Sequence, residues 1–297
     1  MGGFLLDRQQ RVKIGDLTSS SASPNGGVPQ GTISGPRNFL ALINDLHTDC
    51  PMCKYVDDST IYELCAKHKD SVLQTSANQA LIWSNENQMV INADKTKELL
   101  ICFCKDTEHH PSLPNLTLNG SSIERVKSTK ILGVTLTSSL TWNEHVENIV
   151  AKAGKRIHML YCLKRSGVCQ SDMHRIYVSV VRPTVEYACQ VWHSSLPKFL
   201  SDKIELVQSC TMRIIYPGIS YSEALTKADL PTLSDRKTKI CKSYFTSMES
   251  PSHKLHSLLP TPNTSQYGLR NQSKYPTPRA RTNRFKNTLV PWCLFNQ

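Results

Sequence analysis

The sequence predicts an α+β fold in three parts: an antiparallel sheet with helices over residues 1–138, a mostly helical domain over 139–250, and an extended basic tail over 251–297. Three observations predict it. Short apolar runs in the first part are punctuated by turn residues. From Trp142 onward the apolar residues recur at helical spacing. Beyond Pro251, Pro, Asn, Ser, Thr and Arg (PTPNTSQYGLRNQSKYPTPRARTNRFKN) crowd out the apolar side chains that a core requires.

In chain order, Thr18 to Gly27 is rich in Ser, Gly, Pro and Asn and reads as a loop. GVPQGTISGP follows as a glycine-rich turn feeding a helix, because Phe39, Leu42, Ile43 and Leu46 share one helical face. Met52 to Leu64 (MCKYVDDSTIYEL) reads as two short strands with Asp57 and Asp58 at the tip of their turn. Lys69 to Val90 carries Val72, Leu73, Ala77, Ala80, Leu81 and Ser84 on a helical stripe, and INADKTKELLICF then turns into a strand. Asn119-Gly120 predicts a hairpin, since both residues tolerate positive φ. Val146, Ile149, Val150, Ala153, Ile157 and Leu160 form the buried side of a helix whose opposite face is basic through Lys152, Lys155 and Arg156. Further helices are expected over Asp172 to Val181, ended by Pro183, over Phe199 to Tyr216, ended by Pro217-Gly218, and over Ser220 to Ala228 and Ser234 to Met248.

With 297 residues, 39% hydrophobic and 20% charged, the chain has the composition of a folded globular protein. Lys and Arg number 35 against 24 Asp and Glu, a net charge of +11, which suits a polyanionic partner: nucleic acid or an anionic membrane surface. The apolar run in MGGFLLDRQQRVKIGD is too short for a signal sequence, and no stretch approaches the ~20 apolar residues of a membrane span. Eleven scattered cysteines fit a reducing compartment better than a disulfide scaffold. Cys50 and Cys53 have zinc-like spacing, but no second pair follows at finger spacing. The expectation is a soluble intracellular protein, cytoplasmic or nuclear, with no membrane partner.

Two adjacent carboxylates in a turn raise each other's pKa unless a cation neutralises them. Mg²⁺, which favours carboxylate and water oxygens and is commonly shared with substrate phosphates, is the natural partner for Asp57 and Asp58. Phosphoryl transfer between two such ions is one chemistry this arrangement supports; a solvated turn is the other reading of an Asp-Asp pair.

The order of motifs narrows the choice. GVPQGTISGP and its helix, then Tyr55-Val56-Asp57-Asp58, then NADKTKE, then KILGVTL, resembles the palm of the reverse transcriptases of non-LTR (LINE-like) retrotransposons. The resemblance continues through TWNEHVENIVAKAGKRIHMLYCLKRSGV, VVRPTVEYACQVWH and LRNQSKYPTPRARTNRFKN, and so covers nearly the whole chain. It implies a partial palm over 1–138, a thumb-like domain over 139–250, Mg²⁺ as cofactor, and an RNA template, a DNA primer and deoxynucleoside triphosphates as partners. It further implies Asp57 as a shared metal ligand with Asp58 beside it, and a template or nucleotide loop made by Gly27, Pro29, Gln30 and Gly31. Tyr55 belongs to the aspartate hairpin, Lys95 lies near the outgoing phosphates, and Gly133 lies in the primer-gripping hairpin. Read from the residues alone, Gly27 and Gly31 also suit a tight turn, Lys95 a surface charge, and Gly133 an ordinary strand glycine. Trp192 and His193 match the family pattern but read as core packing groups.

The family supplies a further aspartate from a strand before the glycine-rich loop, and neither Asp7 nor Asp16 is a good replacement. The expectation is therefore little or no polymerase activity from this chain alone, with an exposed sheet edge that invites self-association. The alternatives are a non-catalytic protein that grips phosphates through Lys152, Lys155, Arg156, Lys164 and Arg165, and a transposon relic.

Overall fold

The computed structural model describes residues 9–23, 34–66, 70–103, 113–263 and 274–296. Within them the fold is α+β, with helices and small two-stranded antiparallel sheets. The chain divides into two units, Met1–Glu98 with Cys104–Arg125, and Leu99–Phe103 with Val126–Gln297.

The first unit opens with β1 (Lys13–Ile14) and β2 (Leu17–Thr18), an exposed hairpin. Helix α1 (Ser34–Ile43) follows, then β3 (Met52–Tyr55) and β4 (Asp58–Ile61), paired so that Met52 faces Ile61 and Tyr55 faces Asp58. Helix α2 (Leu73–Glu86) turns small residues inward: Ser76, Ala77, Ala80 and Ser84 are buried, whereas Val72, expected on the apolar stripe, is exposed. Ala80 joins Ile43 and Leu46 in a small core, against which Phe39, Met52, Ile61, Trp83 and Ile91 pack. β5 (Lys97–Leu99) follows, then β6 (Thr117–Leu118), β7 (Ser121–Ser122) and β8 (Glu124–Val126). β6 and β7 form the expected hairpin, with Asn119 at φ +50° and Gly120 at φ +76°. β5 pairs with β8, where Arg125 donates to Glu98 at 2.9 Å.

The second unit is built on β9 (Ser128–Ile131), β10 (Val134–Thr137) and the long helix α3 (Asn143–Arg165). α3 follows its sequence pattern: Val146, Ala153 and Leu160 are buried, and Ile149, Val150 and Ile157 pack at the edge of the same core. The β9–β10 hairpin shares this core through Val134, and the Thr135 N–H donates to His145 Nδ1 of α3 at 3.2 Å.

Pro183 does not end a helix, contrary to expectation. Helix α4 (Gln170–Ile176) widens into a π turn over Tyr177–Val181 and continues as α5 (Arg182–Glu186), with Pro183 in its first turn. The Arg182 N–H reaches back five residues to the Tyr177 carbonyl. The proline thus lies inside a continuous helix, and the wider turn before it accommodates the ring and the missing donor. Next come α6 (Cys189–Trp192), α7 (Lys198–Ile215), α8 (Tyr221–Ala228) and α9 (Leu233–Met248). Ser220 caps α8 in a capping box with Glu223. Glu205 on α7 accepts from the Leu233 and Ser234 N–H groups, a carboxylate set on the positive end of α9.

The end of the chain is also not the poorly packed tail expected. Helices α10 (Asn283–Lys286) and α11 (Leu289–Phe295) fold there, and Tyr275, Cys293 and Leu294 bury against Phe245 of α9. The reason lies in LVPWCLF, an apolar run at the very end that follows the polar stretch and supplies the packing surface the average composition hid.

Candidate metal and nucleotide site

The β3–β4 hairpin displays the acidic pair at its tip. Val56 and Asp57 make the turn, and Asp58 opens β4 opposite Tyr55. The turn puts Val56 at φ +54°, a conformation that a β-branched side chain resists. Asp57 and Asp58 are exposed, and among the described residues neither carboxylate has a hydrogen-bond or ion-pair partner. Two unneutralised carboxylates side by side in water present hard oxygen donors, the ligand type Mg²⁺ prefers. Tyr55 stands next to them with 62% of its surface exposed.

Both ends of the hairpin are anchored. The chain entering β3 is tied to α2: Trp83 Nε1 donates to Asp45 at 2.9 Å, Gln79 exchanges hydrogen bonds with Asp49 at 2.8 Å, and the Cys50 N–H donates to buried Ser76 Oγ at 3.0 Å. The chain leaving β4 is tied to the start of α2, where Glu63 accepts from the Ser71 hydroxyl at 2.6 Å and the Val72 N–H at 3.2 Å. Within β3, Met52 and Lys54 turn to the protein while Cys53 and Tyr55 are exposed. Lys54 Nζ donates to the carbonyls of Ile43, Asn44 and Leu46 at 2.9, 3.1 and 2.9 Å. The sequence reading missed Lys54 and Glu63; the one signal for Lys54 was its two-residue spacing from Met52, which puts both on one strand face.

The other candidates are spread through the chain. Gly27, Pro29, Gln30 and Gly31 lie outside the described residues. Lys95 ends a turn in which its N–H donates to Asn92 Oδ1 at 3.0 Å; its ammonium is exposed with no partner among the described residues. Gly133 belongs to the second unit, where it turns the β9–β10 hairpin at φ +88°. A Cβ there would meet Tyr187 Cε1 at 2.9 Å, while the Tyr187 hydroxyl donates to the Leu132 carbonyl at 2.8 Å. Turn and ring together demand the glycine.

The basic face of α3 is not uniform. Lys152 and Lys155 are exposed, but Arg156 is half-buried and donates to the Val180 carbonyl and Thr184 Oγ1, binding α3 to the π turn and α5. Lys164 donates to the Ile214 carbonyl, and Arg165 is exposed. Trp192 and His193 lie in the core: Trp192 Nε1 donates to the Tyr187 carbonyl at 3.1 Å, and His193 Nε2 pairs with Thr238 at 3.0 Å. Burial first, and the nearby Lys237 charge second, push the His193 pKa down to about 4. Cys50 is buried and Cys53 exposed, and among the described residues no cluster of three His, Cys, Asp or Glu is placed to hold a metal. No helix among them is long and apolar enough to cross a membrane.

The chain is 27% identical over 261 residues to the RNA-directed DNA polymerase from mobile element jockey of Drosophila melanogaster, which covers 81% of this chain. Its homologues are the reverse transcriptases of non-LTR retrotransposons. The jockey polymerase of Drosophila funebris is 25% identical over 264 residues and 83% of the chain. A probable reverse transcriptase from transposon X-element of Drosophila melanogaster is 24% identical over 223 residues and 71% of the chain. The chain spans only 24–28% of the length of these curated reverse transcriptases. No protein-family model matches it, and no solved structure does.

Proposed function

We propose that this chain is part of an RNA-directed DNA polymerase, one that joins deoxynucleotides to a DNA primer on an RNA template. Residues 1–138 would then belong to its palm and 139–250 to a thumb-like domain. The observation that carries the reading is the exposed Asp57–Asp58 pair on an anchored hairpin tip, without a partner among the described residues, in a chain whose relatives are reverse transcriptases. Asp57 and Asp58 are the residues that would hold Mg²⁺, with Asp57 shared between two ions. When bound, the metal would supply activation of the primer 3′-hydroxyl and charge neutralisation at the leaving phosphate. Tyr55 offers its exposed ring to the nucleotide, Lys95 its ammonium to the outgoing phosphates, and the Gly27, Pro29, Gln30 and Gly31 loop its backbone to template or nucleotide.

Among the described residues no third His, Cys, Asp or Glu joins the pair, and two carboxylates furnish too few ligands to fix two ions. A misplacement of ~1 Å at the reacting oxygens costs ~100-fold in rate, so the chain by itself extends primers weakly or not at all. The test replaces the matching segment of the jockey polymerase with this chain and measures Mg²⁺-dependent extension on an RNA template. Extension that disappears in Asp57→Asn is expected. A folded chimera that does not extend, or an Asp57→Asn chimera that still does, overturns the assignment.

A second reading, a non-catalytic protein that binds nucleic acid, is favoured by the exposed Lys152 and Lys155 on α3. It predicts salt-sensitive RNA binding by the chain with no extension from the chimera.

A further inference from the structure

We propose that Lys54 is a positioning residue for the Asp57–Asp58 pair, locking the angle between the aspartate hairpin and helix α1. The inference deepens the polymerase reading and rests on it for its functional consequence. The structural tie stands on its own geometry.

An α-helix leaves its last carbonyls without intrahelical partners and carries partial negative charge at that end. α1 has no basic residue of its own in its last turn. Lys54 supplies one from the neighbouring strand, and its ammonium spends all three protons on the carbonyls of Ile43, Asn44 and Leu46. The side chain is half-buried, so these bonds form where water competes poorly.

Among the described residues, the other polar links at the hairpin's base run to α2 or its entry: Asp49 to Gln79, Cys50 to Ser76, and Glu63 to Ser71 and Val72, while Asp45, which lies between two of the carbonyls that Lys54 meets, joins the end of α1 to Trp83 of α2. Lys54 is, among the described residues, the hydrogen-bonded link from the hairpin to the last residue of α1 and the two carbonyls just beyond it. The apolar contacts of Met52 and Ile61 also hold the hairpin to this core, but apolar packing is non-directional and tolerates sliding, whereas three converging hydrogen bonds specify an orientation. Lys54 lies three residues before Asp57, and the Tyr55–Asp58 pairing makes the intervening turn follow the strand. A rotation at Lys54 is therefore carried to the carboxylates.

Lys54→Met keeps the aliphatic stem and removes the donors, and Lys54→Arg restores a cation with several donors. Residual dipolar couplings of the amides of 34–43, 52–61 and 73–86 in this chain read the angle directly. In the parent, one alignment tensor should fit all three segments. In Lys54→Met, α1 should require its own tensor while the hairpin stays with α2, and Lys54→Arg should return to one. A single shared tensor with unchanged orientation in Lys54→Met overturns the proposal. Should that variant fail to fold, Lys54→Leu, which also offers no donor, is read by the same criterion.

In the jockey chimera, Lys54→Met should lower kcat by about 10- to 100-fold at unchanged Mg²⁺ half-saturation, with Lys54→Arg recovering most of it. A swung helix with unchanged kcat also overturns the positioning role. A parent chimera that does not extend sinks the polymerase reading instead, and the couplings still decide the tie to α1.

Discussion

Lys237 is a charged residue held where charge is least welcome. It is 0% exposed, its Nζ has no hydrogen-bond partner among the described residues, and the ammonium lies 5.2 Å from the centre of the Trp192 ring. Burial pushes its pKa down to about 8, against opposition from Glu205, the Cys189 thiol, Glu186 and Cys241. Because the folded pKa lies below the unfolded one, the unfolded chain holds more protons between about pH 8 and the ordinary lysine value of 10.5. Stability therefore rises with pH through that window, and below pH 8 the full cost of the buried charge is present. The cation–π contact returns only about 2 kcal/mol of that cost. Lys237→Met should accordingly stabilise the protein at pH 7 by about 1–3 kcal/mol and flatten the rise between pH 8 and 10. Urea unfolding across that range measures both; a destabilised methionine variant, or one that keeps the alkaline rise, refutes the account. The same variant should raise the His193 pKa, since Lys237 is the second cause of its depression. Val56 is strained in a different way, its positive φ costing about 1–3 kcal/mol beside the acidic pair. The anchors at both ends of β3 and β4 are what hold it there.

At the scale of elements, hairpins show how much of the fold was legible. Asn119-Gly120 declared its turn outright, because both residues tolerate the positive φ they adopt. Val56-Asp57 carries only the weak turn preference of Asp, and alternation on either side placed the acidic pair at a tip. The long helices α3 and α7 were legible because a 3.6-residue period sustained over many turns resists coincidence. The π turn at Tyr177–Val181 was not, since the effect of Pro183 depends on which backbone bonds are available and not on side-chain pattern. Nor was Arg156: it sits beside Ile157 at the edge of the buried stripe, where sequence alone cannot separate a snorkelling cation from a bonded one. Gly133 raises the same question of role. Gly133→Ala adds a Cβ at 2.9 Å from the Tyr187 ring in a left-handed conformation, and should destabilise the second unit by about 1–3 kcal/mol. Nucleic-acid affinity of the folded fraction should not change. Weakened binding at unaltered stability would assign the glycine to the primer contact that the family resemblance implies.

For the molecule as a whole, the excess of eleven positive charges admits several polyanions, and salt dependence identifies which side chains face one. Every phosphate neutralised by a lysine releases condensed counterions, so log K falls linearly with log salt and the slope counts contacts. Lys152 and Lys155 are exposed on α3 and have no competing partner among the described residues, whereas the Arg156 guanidinium is spent on Val180 and Thr184. Binding of a single-stranded RNA, followed by fluorescence anisotropy from 50 to 200 mM salt, separates the two cases. Lys152→Ala and Lys155→Ala should each flatten the slope by about one and weaken all RNA sequences alike. Arg156→Ala should leave the slope of the folded protein untouched and instead lower its unfolding midpoint, because the half-buried Val180 carbonyl and the buried Thr184 hydroxyl lose the guanidinium donor, at about 1–3 kcal/mol. A flattened slope in Arg156→Ala at full stability would mean that the guanidinium leaves the π turn to meet phosphate. Salt-independent binding by the parent chain would remove electrostatic phosphate recognition by this face altogether, and with it the physical basis for reading α3 as a nucleic-acid contact.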